Sequence, residues 1–363
     1  MVVSRTLKAG LKFLIAGCIC FASIFSFAQL KVSTVAGGFE GNGGPAVSAA
    51  LKTPFAVAID KKDRLYIGED LECQIRRVDA DGVIRRFAGR NICGFSGDGG
   101  PANTALFSFA TAMSFDRKNN LLVADAGNFR IRKIDSNEVV TTIVGSGALG
   151  NTGDGGLATQ ASIGVLTGLA TDSHNNVYFA DSNSVVRMVD SAGIIHTVAG
   201  NGTQSFGGDG GAATSAQLSA PQGLAIDDSG NLYIADEFNN RIRKVDAGGI
   251  ITTFAGSGAN DNSGSGGPAT SAGLSDPEGL ILRGDTLYIS TSANRIWTID
   301  LTTQVINLIA GNTTFVGGFN GDGNTALATQ FPNLMEWPSI LQQTCLWPIA
   351  AMIGFVKSIL SKL

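Results

Sequence analysis

Histidine, cysteine and charge are all scarce in this chain, and each scarcity closes off a kind of chemistry. Only two of the 363 residues are histidine, His174 and His196, and neither stands beside a nucleophile pattern. No Ser-His or Cys-His catalytic signature is therefore recognisable in the sequence. Charged residues make up 15%, against ~25% in an average soluble domain, and the formal net charge is −4. That balance does not favour a surface for nucleic acid or an anionic membrane. Acidic loops of the Asp-x-Asp-x-Asp kind that build calcium sites do not occur, and no glycine-rich turn is followed by the Lys-Ser/Thr of a phosphate-cradling loop. The apolar run near the C-terminus, Cys345 to Val356, is 12 residues long, whereas a membrane span needs ~20.

Two things are abundant, glycine and repetition. Forty-eight glycines are about 13% of the chain, nearly twice the ~7% average. They fall on two ladders. Gly37, Gly89, Gly145, Gly200, Gly256 and Gly311 each end an Ala-Gly or Val-Gly step, at spacings of 52, 56, 55, 56 and 55. Beside them a Gly-x-Gly-Gly turn recurs at Gly41–Gly44, Gly97–Gly100, Gly153–Gly156, Gly208–Gly211 and Gly264–Gly267, and imperfectly at Gly321–Asn324. A period on this scale means a solenoid, a propeller or an array.

One unit reads as four short strands. Pro221–Asp227 is an apolar run closed by an acid, Asp228–Asn231 is turn chemistry, and Leu232–Asp236 is apolar on both faces. Arg241–Asp246 is a more polar strand, and Ile250–Ala255 is rich in β-branched residues. A meander this small cannot bury its own faces, so copies stacked around an axis make a β-propeller. Five complete units are present. The fold class is therefore all-β.

The pattern Gly-Leu-Ala-Ile-Asp, then Gly-Asn-Leu-Tyr-Ile-Ala-Asp, then Asn-Asn-Arg-Ile-Arg-Lys-Val-Asp resembles the NHL repeat. The long connector with Gly-Asp-Gly-Gly and Ala-Thr-Ser-Ala is similar to the subtype found in bacterial secreted proteins and in teneurins. The resemblance covers about residues 31–332 and implies a propeller of the six-bladed type, with five complete blades and an incomplete sixth. Leu30–Gly37 then reads as a lone fourth strand whose three partners should follow Phe331 and do not. What the resemblance implies about function is a binding platform, an RNA reader or, occasionally, a lyase.

The domain organisation follows. Residues 1–28 read as a signal peptide, with Arg5, Lys8 and Lys12 ahead of the apolar run Phe13–Phe25 and small residues Ser26 and Ala28 before Gln29. A lipoprotein signal with Cys18 lipidated is the alternative. Removing the segment leaves 23 basic against 30 acidic residues, a mature net charge of −7. Residues 29–333 form the propeller, and 334–363 an atypical hydrophobic tail. Three readings of that tail stand: a membrane anchor, for which it is short, a helix filling the gap, or a discontinuity that removes the native sixth blade. Export also frames the cysteines. With Cys18 and Cys20 in the signal segment, Cys73 and Cys93 share one repeat and have no counterparts in the others, so a local disulfide is expected in an oxidising compartment.

Asp98, Asp154, Asp209 and Asp322 of the Gly-Asp-Gly-Gly turns are oxygen ligands calcium would accept, but Asn42 and Ser265 replace them in two units, so turn formation with the carboxylate bonding nearby amides is the expectation. Arg76, Arg130, Arg132, Arg241 and Arg243 recur in nearly every blade; a basic RNA face is one reading, and ion pairing with Asp125, Asp181 or Asp236 the favoured one. No catalytic, cofactor-binding or metal-binding residues are assigned and no cofactor is expected. The expected function is a secreted or cell-envelope binding scaffold for a protein or carbohydrate, contacted by the connectors between blades, with no membrane span in the propeller. The alternative is a metal-dependent lyase or lactonase on the same fold.

Overall fold

A computed structural model describes residues 41–311, together with Ala36 and Leu327. The chain folds into five antiparallel sheets, here blades 1 to 5, each built on four consecutive strands, the fifth carrying in addition the two-residue connector strand Gly267–Pro268 along its outer strand. Blade 1 runs through Pro54–Ile59, Leu65–Glu69, Gln74–Val78 and Ile84–Gly89. Blade 2 uses Ala110–Phe115, Leu121–Asp125, Arg130–Ile134 and Val140–Val144. Blade 3 uses Leu166–Thr171, Val177–Asp181, Val185–Val189 and Ile195–Ala199. Blade 4 uses Pro221–Ile226, Leu232–Asp236, Arg241–Val245 and Ile251–Ala255. Blade 5 uses Pro277–Arg283, Thr286–Thr291, Arg295–Asp300 and Val305–Ala310. The fourth strand of blade 4 starts one residue later than its β-branched run, because Ile250 bridges to Ala212 of the connector instead.

The second strand of blades 1, 2 and 4 is buried along its whole length, as a strand sandwiched between two neighbouring sheets must be. The first strands of consecutive blades pack against one another from blade 1 through blade 5, which makes them the innermost. Four apolar cores lie between successive blades. Leu122, Val144, Phe179 and Ile195, for example, join blades 2 and 3, and Tyr66 of blade 1 meets Phe115 of blade 2 edge-on at 5.1 Å. A fifth cluster covers the remaining face of blade 1, where Val57, Leu65 and Ile67 are packed by Ala36 and by Ile281 of blade 5. The described residues hold five blades, so the sequence-based count of six is not supported by them. The lone strand Leu30–Gly37, apart from Ala36, the C-terminal part of the expected sixth blade, the signal segment and the tail lie outside the described residues.

Both glycine ladders have a geometric cause. Gly145 has φ +90°, and a Cβ there would collide with the carbonyl oxygen of Phe129, the left-handed residue that closes the turn before the third strand. The same collision awaits at Gly89, Gly200, Gly256 and Gly311. In the second ladder, a Cβ on Gly153 would lie 2.8 Å from the Ala161 Cα, so a residue without a side chain opposes a small one across the connector.

The connector is what covers the outer edge of each blade. Gly155 N donates to Ile195 O at 2.8 Å, Ile195 N to Gly156 O at 3.1 Å and Ala158 N to Gly193 O at 2.8 Å, so the turn pairs with the outermost strand of blade 3. The same connector is tied back to blade 2, since Gly145 N donates to Ala158 O at 2.9 Å and Ser146 N to Ala161 O at 2.8 Å. One segment thus blunts an exposed edge and staples two blades.

Candidate binding face

The polar network inside the blades accounts for most of the recurrent charges. Arg132 and Arg243, on third strands, are fully buried, as is Arg187. Arg132 Nη2 lies 2.8 Å from Asp98 Oδ1 in the connector turn and Arg132 Nη1 3.3 Å from Asp125 Oδ2 on the second strand. Arg243 repeats this with Asp209 at 2.7 Å and Asp236 at 3.1 Å, and Arg187 reaches Asp154 at 2.6 Å. The arginine then donates onward to connector carbonyls, as Arg187 does to Ser162 O and Thr152 O, both at 3.0 Å. Asp98, Asp154 and Asp209 therefore serve as distant ion-pair partners, not as caps for neighbouring amides. Their remaining oxygens accept from Thr142 Oγ1, Thr197 N and Thr253 Oγ1. Asp322 lies outside the described residues. Burial raises the Asp125 carboxyl to about 6, with Asn128, the Ser108 amide and Arg132 pulling it back.

The two outer blades of the series vary the triad as a set. Blade 1 keeps its arginine, Arg76, but pairs it with Asn42 at 3.0 Å and Glu69 at 3.7 Å. Blade 5 drops all three charges together: Ser265 stands for the turn aspartate, Thr291 for the strand aspartate and Trp297 for the arginine. Trp297 faces Ile289 in the register that places Arg132 opposite Val123. Concerted loss is what electrostatics demands, because one charge left alone in a dry interior is costly.

Arg130 and Arg241 behave differently from the ion pairs expected of them. Each donates to carbonyls, Arg130 to Asn128 O and Ser146 O, Arg241 to Asn239 O and Ser257 O. Each also stacks on a connector phenylalanine, 3.8 Å above Phe95 and 3.9 Å above Phe206. Position along the strand is the reason: two residues apart, the arginines of each pair share a face and reach the same connector phenylalanine, but Arg132 and Arg243 lie beside the buried Asp125 and Asp236, while Arg130 and Arg241 sit at the strand's start, where the connectors pass.

The two ends of the inner channel are chemically unlike. At one end lie the turns after the first and third strands, whose aspartates bond their own loops; Asp227 Oδ1, for instance, accepts from Ser229 N and Asn231 N. At the other end the first strand begins, the second ends and the connectors pass, as the pairing of Pro221 with Asp236 and Pro277 with Thr291 fixes. Here the equivalent positions of the first strand are not alike: Phe55, Thr111, Thr167, Gln222 and Glu278. Thr111 Oγ1 and Thr167 Oγ1 donate to backbone carbonyls of the next blade, at 2.8 and 2.6 Å. Gln222 Nε2 donates to Glu237 Oε2 at 2.8 Å.

Glu278 is the unusual member. Burial, reinforced by the charges of Glu237 and Asp276, raises its carboxyl to about 7, and among the described residues no basic side chain offsets it. Around this acidic sector the same end exposes Phe238 (63%), Leu71 (59%), Phe55 (52%) and Phe109 (42%). Sequence reasoning missed the grouping because Glu237, Asp276 and Glu278 come from two blades and match no spacing motif. The available signal was variation: these are the positions at which otherwise similar repeats disagree. Among the described residues no three His, Cys, Asp or Glu side chains are grouped so as to hold a metal ion, and no helix is long and apolar enough to cross a membrane.

Five similar blades, edge-covering connectors and a chemically distinct channel mouth define a repeat propeller. Residues 148–206 and 200–262 match the model of the teneurin NHL domain. Over 229 residues the chain is 30% identical to Teneurin-1 of Mus musculus, a match covering 56% of this chain and 8% of that protein. It therefore corresponds to a small part of the teneurins. A solved structure from Bacteroides thetaiotaomicron, of unknown function, superposes with a TM-score of 0.60 at 18% identity, over 84% of this chain and 69% of that one. A streptogramin B lyase superposes with a TM-score of 0.48 at 13% identity, over 72% of this chain and 70% of its own. The chain is an NHL-repeat β-propeller.

Proposed function

We propose that the protein is an exported binding scaffold whose ligand docks at the connector-bearing channel mouth. The observation that carries this reading is the convergence there of Glu237, Asp276 and Glu278, with no basic partner for Glu278 among the described residues, at the end that also exposes Phe238 and Phe55. A protein stays marginally stable while keeping mutually repelling carboxylates only where something else selects them. A protein segment bearing a lysine or arginine suits this chemistry better than a neutral carbohydrate. Residues 1–28 direct export in this reading. Binding to a panel of cationic and neutral peptides tests it: Glu278→Gln together with Glu237→Gln should weaken the cationic ligands at least tenfold, and equal affinity for both proteins would overturn it.

A second reading is supported by the same carboxyl. A group titrating near 7 suits proton transfer at neutral pH, as a lyase or lactonase on this fold would require. Turnover of a lactone panel that is lost in Glu278→Gln, and that tracks metal content by elemental analysis, would favour the enzyme.

Glu278 also sets a pH dependence. Its folded value, about 7, lies above the 4.5 usual for a solvated glutamate, so the stability it contributes is fully present below about pH 4.5 and is lost as pH rises through 7. Glu278→Gln should therefore gain on the order of 2 kcal/mol over the parent at pH 8 and almost nothing at pH 4.5. Urea unfolding at the two pH values checks it; an equal difference at both would show that the side chain does not titrate in this window.

A further inference from the structure

Connector staples recur between the blades, with one exception. Ser146, Asn201 and Ser257, each just after a ladder glycine, donate their amides to Ala161, Ala216 and Ala272 at 2.8, 2.9 and 2.7 Å. Arg130 and Arg241 add a second tie from the third strand to the following connector, through Ser146 O and Ser257 O. The connector after blade 1 has neither. Arg90 makes no such amide bond, and Gln74, at the arginine's position, turns back to Glu69 at 2.6 Å. Among the described contacts no backbone hydrogen bond holds Arg90, Asn91, Ile92 or Cys93; the first comes at Gly94, whose N donates to Phe107 O at 3.1 Å. What stands in the gap is covalent. Cys73, in the turn before the third strand, is joined to Cys93 of the connector, with Cα atoms 5.1 Å apart.

The two sulfurs are unequally placed. Cys73 is buried at 1% exposure, while Cys93 is exposed. The segment they hold carries Ile92, 59% exposed, and Phe95, which stacks on Arg130, at the end of the propeller that bears the acidic channel mouth. We propose that Cys73–Cys93 is a redox latch, opened by a dithiol reductant, that controls the position of residues 90–93 on the connector-bearing face.

The exchange is balanced. A thiolate of the dithiol attacks the sulfur of Cys93, the more exposed residue of the two, forming a mixed disulfide and expelling Cys73 as thiolate, which takes a proton. The second thiol of the reductant then displaces Cys93, leaving two protein thiols and an oxidised reductant, a transfer of two electrons. The Cys73 thiol so formed has an acceptor in place, the Asp70 carbonyl oxygen 3.3 Å from its sulfur. With the bond open, no backbone hydrogen bond among the described residues ties Arg90–Cys93 to blade 1. The proposal concerns the same face as the binding reading above, but its test needs no ligand.

Limited trypsin digestion of the exported chain, followed by mass spectrometry, provides that test. Cleavage of the Arg90–Asn91 bond should be at least tenfold faster in dithiothreitol than in its absence, with cleavage after Arg132 and Arg243 unchanged. Cys93→Ser should be cut at the fast rate without reductant. Three results would overturn the proposal: the same rate at Arg90 in both conditions, a uniform acceleration at all sites, which would make the bond a global staple, or two free thiols at these positions in the unreduced protein. Loss of ligand binding with the proteolytic response intact would strike the binding reading alone.

Discussion

Arg132→Ala should destabilise the propeller by about 3–5 kcal/mol, the usual cost of removing one member of a buried ion pair. Arg132 and Asp125 are both fully buried, so the substitution leaves Asp125 in a dry site with Asn128 and the Ser108 amide as its remaining donors. It also strips hydrogen bonds from Asp98 Oδ1, Leu106 O and Ser96 O, which tie the connector to the blade. The sign of the pH effect follows. Arg132 is among the groups that pull the Asp125 carboxyl down towards about 6. Without it the folded value climbs further above the unfolded one, and stability is lost as pH rises through that higher value. The deficit should thus be larger at pH 8 than at pH 5, where a neutral Asp125 needs no cation. Blade 5 supplies the control. Asp98→Ser, Asp125→Thr and Arg132→Trp introduced together copy the Ser265, Thr291 and Trp297 set and should recover at least half of the loss. Guanidinium unfolding of the single and triple variants decides it: additive losses would mean that the three side chains do not act as one unit.

The blade was legible in the sequence because each of its parts is local. Strand period, turn acids such as Asp227 and the glycine ladders all act within a few residues of where they stand, and each matches what the structure places there. The charge network was half legible. Nearby partners such as Asp125 for Arg132 could be inferred, whereas Asp98 lies 34 residues from Arg132 and was read as a local turn former. Only the return of the connector along its own blade's outer strand brings them together. The channel mouth was not legible at all, since Gln222, Glu237, Asp276 and Glu278 meet through the stacking of blade 4 on blade 5. Similarity between repeats revealed the scaffold and, for the same reason, drew attention away from the positions where the repeats differ.

Gly145→Ala should cost about 3 kcal/mol or more, far above the ~1 kcal/mol typical of a point substitution. Two penalties combine at this residue. Its φ of +90° disfavours any L side chain by roughly 1–2 kcal/mol, and the added methyl would strike the Phe129 carbonyl oxygen, a backbone atom fixed by a turn that cannot yield without moving Arg130. Displacing that turn also threatens the bond from Gly145 N to Ala158 O, the staple between blade 2 and the next connector. Gly155 separates the two penalties. It has φ +79° but nothing within 4 Å of a built Cβ, so Gly155→Ala should cost only the backbone term, about 1 kcal/mol. Thermal unfolding of the pair measures the difference. Equal losses would show that the Ala-Gly ladder is a matter of backbone conformation alone; the expected gap of about 2 kcal/mol would show that it marks the point where each connector leaves its blade against the carbonyl of the neighbouring turn, a contact only glycine permits.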